Sequence, residues 1–140
     1  MLTQLIIGSF LITATIFVEV LFIQGAIRIL KTHAERYLAS QQTSHQVFVL
    51  ATSTLWLLAA LSVSIWMWAL AFWSIGAFEG LERALYFSMV SFTTLGFGDV
   101  TLPQNWRLLS GIIAANGLIL FGLNTAFLIE ILQRLFLRTE

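Results

Sequence analysis

The chain has 140 residues, of which 59% are hydrophobic and 10% are charged, and its formal net charge is zero. So small a charged fraction excludes an ordinary soluble domain, which must present a wetted surface. The neutral balance excludes a strongly basic nucleic-acid-binding face, and the absence of cysteine excludes disulfide scaffolds and thiolate sites. We therefore expect an integral membrane protein whose surroundings are lipid.

The first apolar stretch, residues 5–30, is long enough to cross a membrane, which requires roughly 20 apolar residues. Residues 1–4 carry no basic side chain, unlike the start of a secretory signal, so we predict that residues 1–30 form a retained transmembrane helix. Glu19 lies within this span, where a carboxylate is costly unless it is paired, protonated or near water. Two roles stay open for Glu19: contact with a neighbouring helix or the membrane surface, and proton sensing or ion relay.

A polar segment, residues 31–46, follows the first span, and we interpret it as a cytoplasmic link. Residues 47–73 and 107–133 form two further stretches that are long enough to cross, and residues 134–140 form a short cytoplasmic tail. Residues 81–93 are too few to cross and suit a helix that enters the membrane and returns. The sequence therefore predicts an all-α membrane protein with three transmembrane helices and one re-entrant helix.

The basic residues predict the orientation of these spans. Arg83 and Arg107 flank the re-entrant segment, and the other five basic residues belong to the link or follow the last span. These five are Arg28, Lys31, Arg36, Arg134 and Arg138. Because cytoplasmic segments carry the excess of positive charge, we expect the N-terminus outside and the C-terminus in the cytoplasm.

The stretch most informative about function is Ser-Phe-Thr-Thr-Leu-Gly-Phe-Gly-Asp, residues 91–99. A dehydrated cation can be held by successive backbone carbonyls only if these all face one axis, whereas a regular strand alternates them. Some residues must then adopt positive φ, which glycine allows, and Gly96 and Gly98 meet that need. The short helix before them would direct the negative end of its dipole toward the cation. A simple turn between two membrane segments is the competing interpretation of these glycines.

Rings of carbonyls around an axis require several copies of this loop, and each chain supplies one. We therefore expect a homotetramer with cyclic symmetry.

At these residues the chain resembles the pore-domain potassium channels, in particular the prokaryotic ones with two spans around a pore loop. The resemblance covers residues 47–132 and is closest over residues 84–99 and 121–126. It implies a selectivity filter over residues 94–99 that binds K⁺ through backbone oxygens. The implied filter residues are Thr94, with its hydroxyl as a further ligand, Leu95, Gly96, Phe97 and Gly98.

The same resemblance implies two further groups of residues. Support of the filter is implied for Asp99 at the outer mouth, Tyr86 and Thr93. Roles in the cavity or in gating are implied for Gly117, Phe121, Gly122 and Thr125. Val90 stands where some members of the family carry a glutamate that bonds the aspartate, so we predict that the Tyr86 hydroxyl bonds Asp99 instead. Leu95 stands where valine is usual, and the first span has no counterpart in the minimal two-span channels.

Three residues of the last span leave two interpretations each. Gly117 could act as a gating hinge or allow close packing of helices. Asn116 and Asn124 could bond a neighbouring helix or line a water-filled cavity.

The function that the sequence predicts is passive, potassium-selective conduction, with K⁺ as the permeant ligand, no cofactor and no enzymatic activity. The expected partners are other copies of the chain and membrane lipid, with no nucleic acid and no soluble protein. We expect it in the plasma (inner) membrane of a prokaryote. A poorly selective cation channel and a non-conducting regulatory subunit are the alternatives. An intramembrane hydrolase is disfavoured because His-Glu-x-x-His and Gly-x-Ser-x-Gly motifs are absent.

Overall fold

Four α-helices form the part of the chain that the computed structural model describes, residues 1–32 and 43–136. In chain order they are α1 (Leu2–Thr32), α2 (Thr43–Ser74), α3 (Leu81–Phe92) and α4 (Leu108–Phe136). A single 3-10 turn, Gln104–Trp106, precedes α4. All regular elements of the described residues are helical, which confirms the predicted all-α class.

Three of these helices are long and apolar enough to cross a membrane, over Leu2–Leu30, Gln46–Ser74 and Leu108–Arg134. The fourth, α3, has 12 residues and therefore a length of about 18 Å, well short of the roughly 30 Å hydrocarbon core. Three spans and one short helix were predicted, and this pattern is confirmed.

The segments predicted to lie in the cytoplasm are only partly described. Most of the link predicted over residues 31–46 lies outside the described residues, as does the tail from residue 137 onward. Both segments are shorter than predicted. α2 already begins at Thr43, within the predicted link, and α4 continues to Phe136, within the predicted tail.

A sharp turn after α2 brings the chain to α3. Gly76 has φ 70°, its N–H donates to the Trp73 carbonyl, and the Ala77 N–H donates to the Phe72 carbonyl. These two bonds form a Schellman motif, in which a residue of positive φ closes the helix end. α3 then begins after Gly80 with Glu82 in its first turn, where a carboxylate favours the helix dipole.

An aromatic cluster fixes α3 against the end of α2. The Phe72 ring is fully buried and lies 5.6 Å from Trp68 and 5.3 Å from Phe87, measured between ring centroids. The Phe78 ring lies 5.2 Å from that of Phe87. Trp68 is fully buried, so it packs inside the chain. The cluster gives α3 a fixed direction at the end of the bundle that carries the 93–107 loop.

α1 packs against both α2 and α4. Its contact with α4 is close, since a Cβ added to Gly8 would lie 2.8 Å from Ile112. Its contact with α2 includes a hydrogen bond of 2.9 Å from Trp56 Nε1 to the Phe22 carbonyl. Residues 4, 8 and 15 of α1 meet residues 108, 112 and 116 in turn, so α1 and α4 run parallel.

Candidate ion-conduction site

The sign of the backbone angle φ alternates over residues 94–98, which follow α3. Thr94, Gly96 and Gly98 have φ values of 60°, 57° and 78°, whereas the intervening Leu95 and Phe97 have negative φ. Alternation of this kind turns successive carbonyls toward the same side, which a regular strand does not do. Positive φ at the two glycines follows from the sequence; positive φ at Thr94 was not expected from it.

Hydrogen bonds at the end of α3 fix the start of this segment. The N–H groups of Leu95 and Gly96 both donate to the Val90 carbonyl, at 3.0 and 3.3 Å. The Thr94 N–H donates to the Ser91 carbonyl at 3.0 Å. The segment therefore starts directly at the C-terminal end of α3, where the helix dipole is negative and favours a cation.

The carbonyl groups of residues 94–98 remain available as ligands. Within the described part of the chain, none of them accepts a hydrogen bond from another residue. Since a backbone carbonyl away from water requires a partner, these groups suit either solvent or an ion. The described residues also contain no group of three or more histidine or carboxylate side chains that could hold a metal ion. An ion bound here would therefore rely on backbone oxygens.

The predicted hydrogen bond between Tyr86 and Asp99 is present. The Tyr86 hydroxyl donates to Oδ2 of Asp99 over 2.7 Å, from the exposed face of α3 to the residue after the alternating segment. This bond lowers the pKa of Asp99, against a smaller opposing effect of desolvation, and the Val100 backbone N–H helps to lower it. The same bond raises the pKa of Tyr86. The middle of α3 is thus joined directly to the residue that follows the alternating segment.

Thr93, for which a supporting role was inferred, has its hydroxyl directed at the helix. Thr93 Oγ1 donates to the Met89 carbonyl at 2.8 Å, and the Thr93 N–H donates to the same carbonyl at 3.1 Å. These two bonds satisfy a carbonyl that the end of α3 would otherwise leave without a donor. Any support that Thr93 gives to residues 94–98 acts through the end of α3.

A single chain leaves the site open. Leu95 and Phe97 are 61% and 67% exposed, although both are large apolar residues, and Gly96, Gly98 and Asp99 are exposed as well. One chain alone therefore does not enclose an ion at this segment.

α4 lies directly against the end of α3 at Gly117. A Cβ added to Gly117 would overlap the Phe92 carbonyl oxygen, so only glycine allows this approach. Phe121, one turn further along α4, has its ring centroid 6.2 Å from that of Phe92. The contact favours the packing interpretation of Gly117, and the hinge stays a prediction.

Gly122 and Thr125, also proposed for the cavity or gating, are exposed on α4. The Thr125 hydroxyl donates to the Phe121 carbonyl at 2.8 Å, and a Cβ added to Gly122 would meet nothing within 4 Å. Both residues are therefore free to face a cavity.

The two asparagines of α4 face α1. Asn116 is fully buried and its Nδ2 donates to Thr15 Oγ1 at 2.8 Å. Asn124 is 5% exposed and lies beside Glu19 of α1. This arrangement supports the helix-bonding interpretation of Asn116 and places Asn124 against the same neighbouring helix. The roles of Gln4 and Thr15 were missed, although Gln4, Thr15 and Glu19 recur at helical spacing, which would have indicated a polar stripe on one face.

A sequence model described as "Ion channel" matches residues 47–134. The match covers more than half of the chain and includes α3, the alternating segment and nearly all of α2 and α4, but not α1. No significant match to a curated protein or to a solved structure was found.

Proposed function

The chain belongs to the ion channel family, and from this membership we propose that four copies of it form a passive, potassium-selective pore with residues 94–98 as the filter. Ion conduction follows from the family. Selectivity for K⁺ and assembly from four chains are our proposals.

The observation that supports K⁺ selectivity best is the alternation of positive and negative φ over residues 94–98. Around a fourfold axis this backbone would offer successive rings of carbonyl oxygens from Thr94, Leu95, Gly96 and Phe97. Such rings replace the water shell of a K⁺ ion, at a spacing that suits Na⁺ less well. The Thr94 hydroxyl would add a ring at the end nearer α3, as the resemblance to potassium channels implies.

The dipole of α3 adds to this preference for cations. Four copies of its C-terminal end would face the inner side of the filter, each with the partial negative charge of a helix end. Asp99, whose pKa is lowered by the hydrogen bond from Tyr86, would form a negative ring at the outer mouth. With the positive side of the chain in the cytoplasm, as the basic residues predict, that mouth opens to the outside.

The test compares ⁸⁶Rb⁺ and ²²Na⁺ uptake into liposomes that contain the purified chain. Wild-type protein should carry rubidium and exclude sodium. Gly96→Ala and Gly98→Ala should lose selective uptake, because a Cβ opposes positive φ.

Gly111→Ala is the matched control for both variants. All three glycines have open space around an added Cβ within the chain, but only Gly96 and Gly98 have positive φ. Uptake by the Gly111→Ala variant should therefore equal that of the wild type. Equal uptake of both ions by the wild type would favour the poorly selective channel, and unaltered selectivity in both filter variants would exclude the filter assignment.

A further inference from the structure

Three polar contacts join α1 to α4 along their length, and two of them are complete. The Gln4 amide donates to the Asn105 carbonyl and accepts from the Leu108 N–H at 3.0 Å. Thr15 and Asn116 are joined by contacts of 2.8 and 3.2 Å. Each of these contacts pairs donors with acceptors, as burial among apolar helices requires.

The third contact, between Glu19 and Asn124, is incomplete. Glu19 is fully buried and Asn124 is 5% exposed. The side chains lie next to each other, yet neither the two Glu19 oxygens nor the two Asn124 amide atoms have a partner of normal hydrogen-bond geometry among the described residues. Four buried polar atoms therefore need an explanation.

Among the side chains that the structure describes, none that carries a charge faces Glu19 from the helices that pack against it. α2 contains no Asp, Glu, Lys or Arg, and its His45 stands near the end that joins the link. On α4 the charged residues are Glu130 and Arg134, which pair with each other at 2.7 Å on the surface. Glu130 lies about 9 Å beyond Asn124 along the helix axis. On α1, Arg28 lies about 13 Å beyond Glu19. A carboxylate at Glu19 would thus be buried in the membrane without a counter-ion, which is strongly unfavourable.

Counting donors and acceptors identifies what is missing. A carboxylate only accepts hydrogen bonds, so an ionised Glu19 could accept from Asn124 Nδ2 but would leave Asn124 Oδ1 without a donor. A protonated Glu19 donates its O–H to Asn124 Oδ1 while its carbonyl oxygen accepts from Nδ2. One added proton satisfies both groups and removes the buried charge.

We propose that Glu19 and Asn124 form a proton-binding site within the membrane, and that the bound proton fastens α1 to α4. The ligand is a proton and not a metal ion, because the pair offers three oxygens whereas a hard cation such as Ca²⁺ takes six to eight. The site is separate from the proposed filter, since neither Glu19 nor Asn124 belongs to residues 94–98.

The test is infrared absorption of the purified protein in liposomes, in deuterated buffer at neutral pH. A protonated carboxyl group absorbs in a C=O region that is separate from carboxylates and amides. We expect one such band in the wild type, its loss in Glu19→Gln, and its retention in the matched control Glu130→Gln, which removes an exposed acid from α4. Asn124→Leu should keep the band but move it to the higher frequency of an acid without a hydrogen bond.

The site is refuted if the wild type lacks the band at neutral pH or if Glu19→Gln retains it. An unchanged frequency in Asn124→Leu would refute the partnership with Asn124. A protein that shows all the expected bands but carries no cations would keep this site and overturn the proposed pore, so the two failures are distinguishable.

Discussion

Thr94 has a backbone conformation that residues other than glycine rarely adopt. Its φ of 60° is the single positive value among the non-glycine residues that the structure describes, and such positions cost of order 1–3 kcal/mol. The hydrogen bonds from Leu95 and Gly96 to the Val90 carbonyl hold the residues that follow. A glycine would adopt this conformation without cost, but it would lack the hydroxyl that the proposed filter uses as a ligand. Strain at Thr94 is therefore consistent with a requirement for its side chain.

The bond between Tyr86 and Asp99 gives the first prediction. Tyr86→Phe removes the donor and should shorten the lifetime of the conducting filter, because Asp99 then loses the side chain that holds it behind the loop. Single-channel recording in planar bilayers measures this lifetime. Tyr37→Phe, at the other of the two tyrosines in the chain, is the control and should behave like the wild type. Equal lifetimes for wild type and Tyr86→Phe would contradict the prediction.

The pH dependence of this effect has a defined sign. The pKa of Asp99 is lowered, so the contribution of the bond is present above the usual aspartate pKa of about 3.9 and is lost as pH falls through the lowered value. The pKa of Tyr86 is raised, so the contribution is present below the usual tyrosine pKa of about 10 and is lost as pH rises through the raised value. The difference between wild type and Tyr86→Phe should thus be constant between about pH 4 and 10 and shrink beyond both limits.

At the scale of the helices, the position of α4 depends on Gly117. The second prediction is that Gly117→Ala lowers the thermal stability of the purified protein, by about 1–3 kcal/mol, because its Cβ would overlap the Phe92 carbonyl. Gly122→Ala is the control, since the same Cβ meets nothing there, and it should leave stability nearly unchanged. Thermal denaturation in detergent measures both. Unchanged stability together with altered gating in Gly117→Ala would favour the hinge instead.

The contacts of α1 give the third prediction. Deleting residues 2–30 should preserve selective uptake, because α1 supplies none of residues 94–98, but should lower thermal stability, because Asn116 and Asn124 would then face lipid. Asn116→Leu should raise the stability of the shortened chain. In the full-length chain the same substitution should lower it, by about 0.6–1.7 kcal/mol, because Thr15 loses its partner. If Asn116→Leu changed the stability of both chains in the same direction, the role assigned to the contact between Thr15 and Asn116 would be contradicted.

Much of the site could be predicted because its determinants are local in sequence. Gly96 and Gly98 indicate positive φ by their residue type, and Tyr86 and Asp99 are only 13 residues apart in the chain. The partners of Asn116 and Asn124 could not be predicted, because they lie about 100 residues away on α1, and the sequence does not show which helices meet. Gly117 gave two interpretations for the same reason: only the position of α3 decides what a Cβ there would touch.

At the scale of the molecule, a single chain exposes the large apolar side chains of its own candidate filter segment. Leu95 and Phe97 are each more than half exposed, and rings of carbonyls require several copies of the loop. The fourth prediction is that the conducting protein in lipid nanodiscs has a mass of four times the 15.7 kDa of one chain, apart from lipid, by native mass spectrometry. Cross-linking with a reagent that joins pairs of carboxylate groups should yield dimers, trimers and tetramers and nothing larger. A monomeric or dimeric species that carries ions would contradict the proposal.

The parallel contact between α1 and α4 also determines the order in which the protein can mature. Thr15 emerges from the ribosome about 100 residues before its partner Asn116, a delay of roughly 5–20 s at ordinary rates of synthesis. During this interval α1 is in the membrane, or at its edge, with a polar face that has no partner. α1 is thus synthesised before α2 and α4, yet it acquires its last polar partner only when α4 has been made.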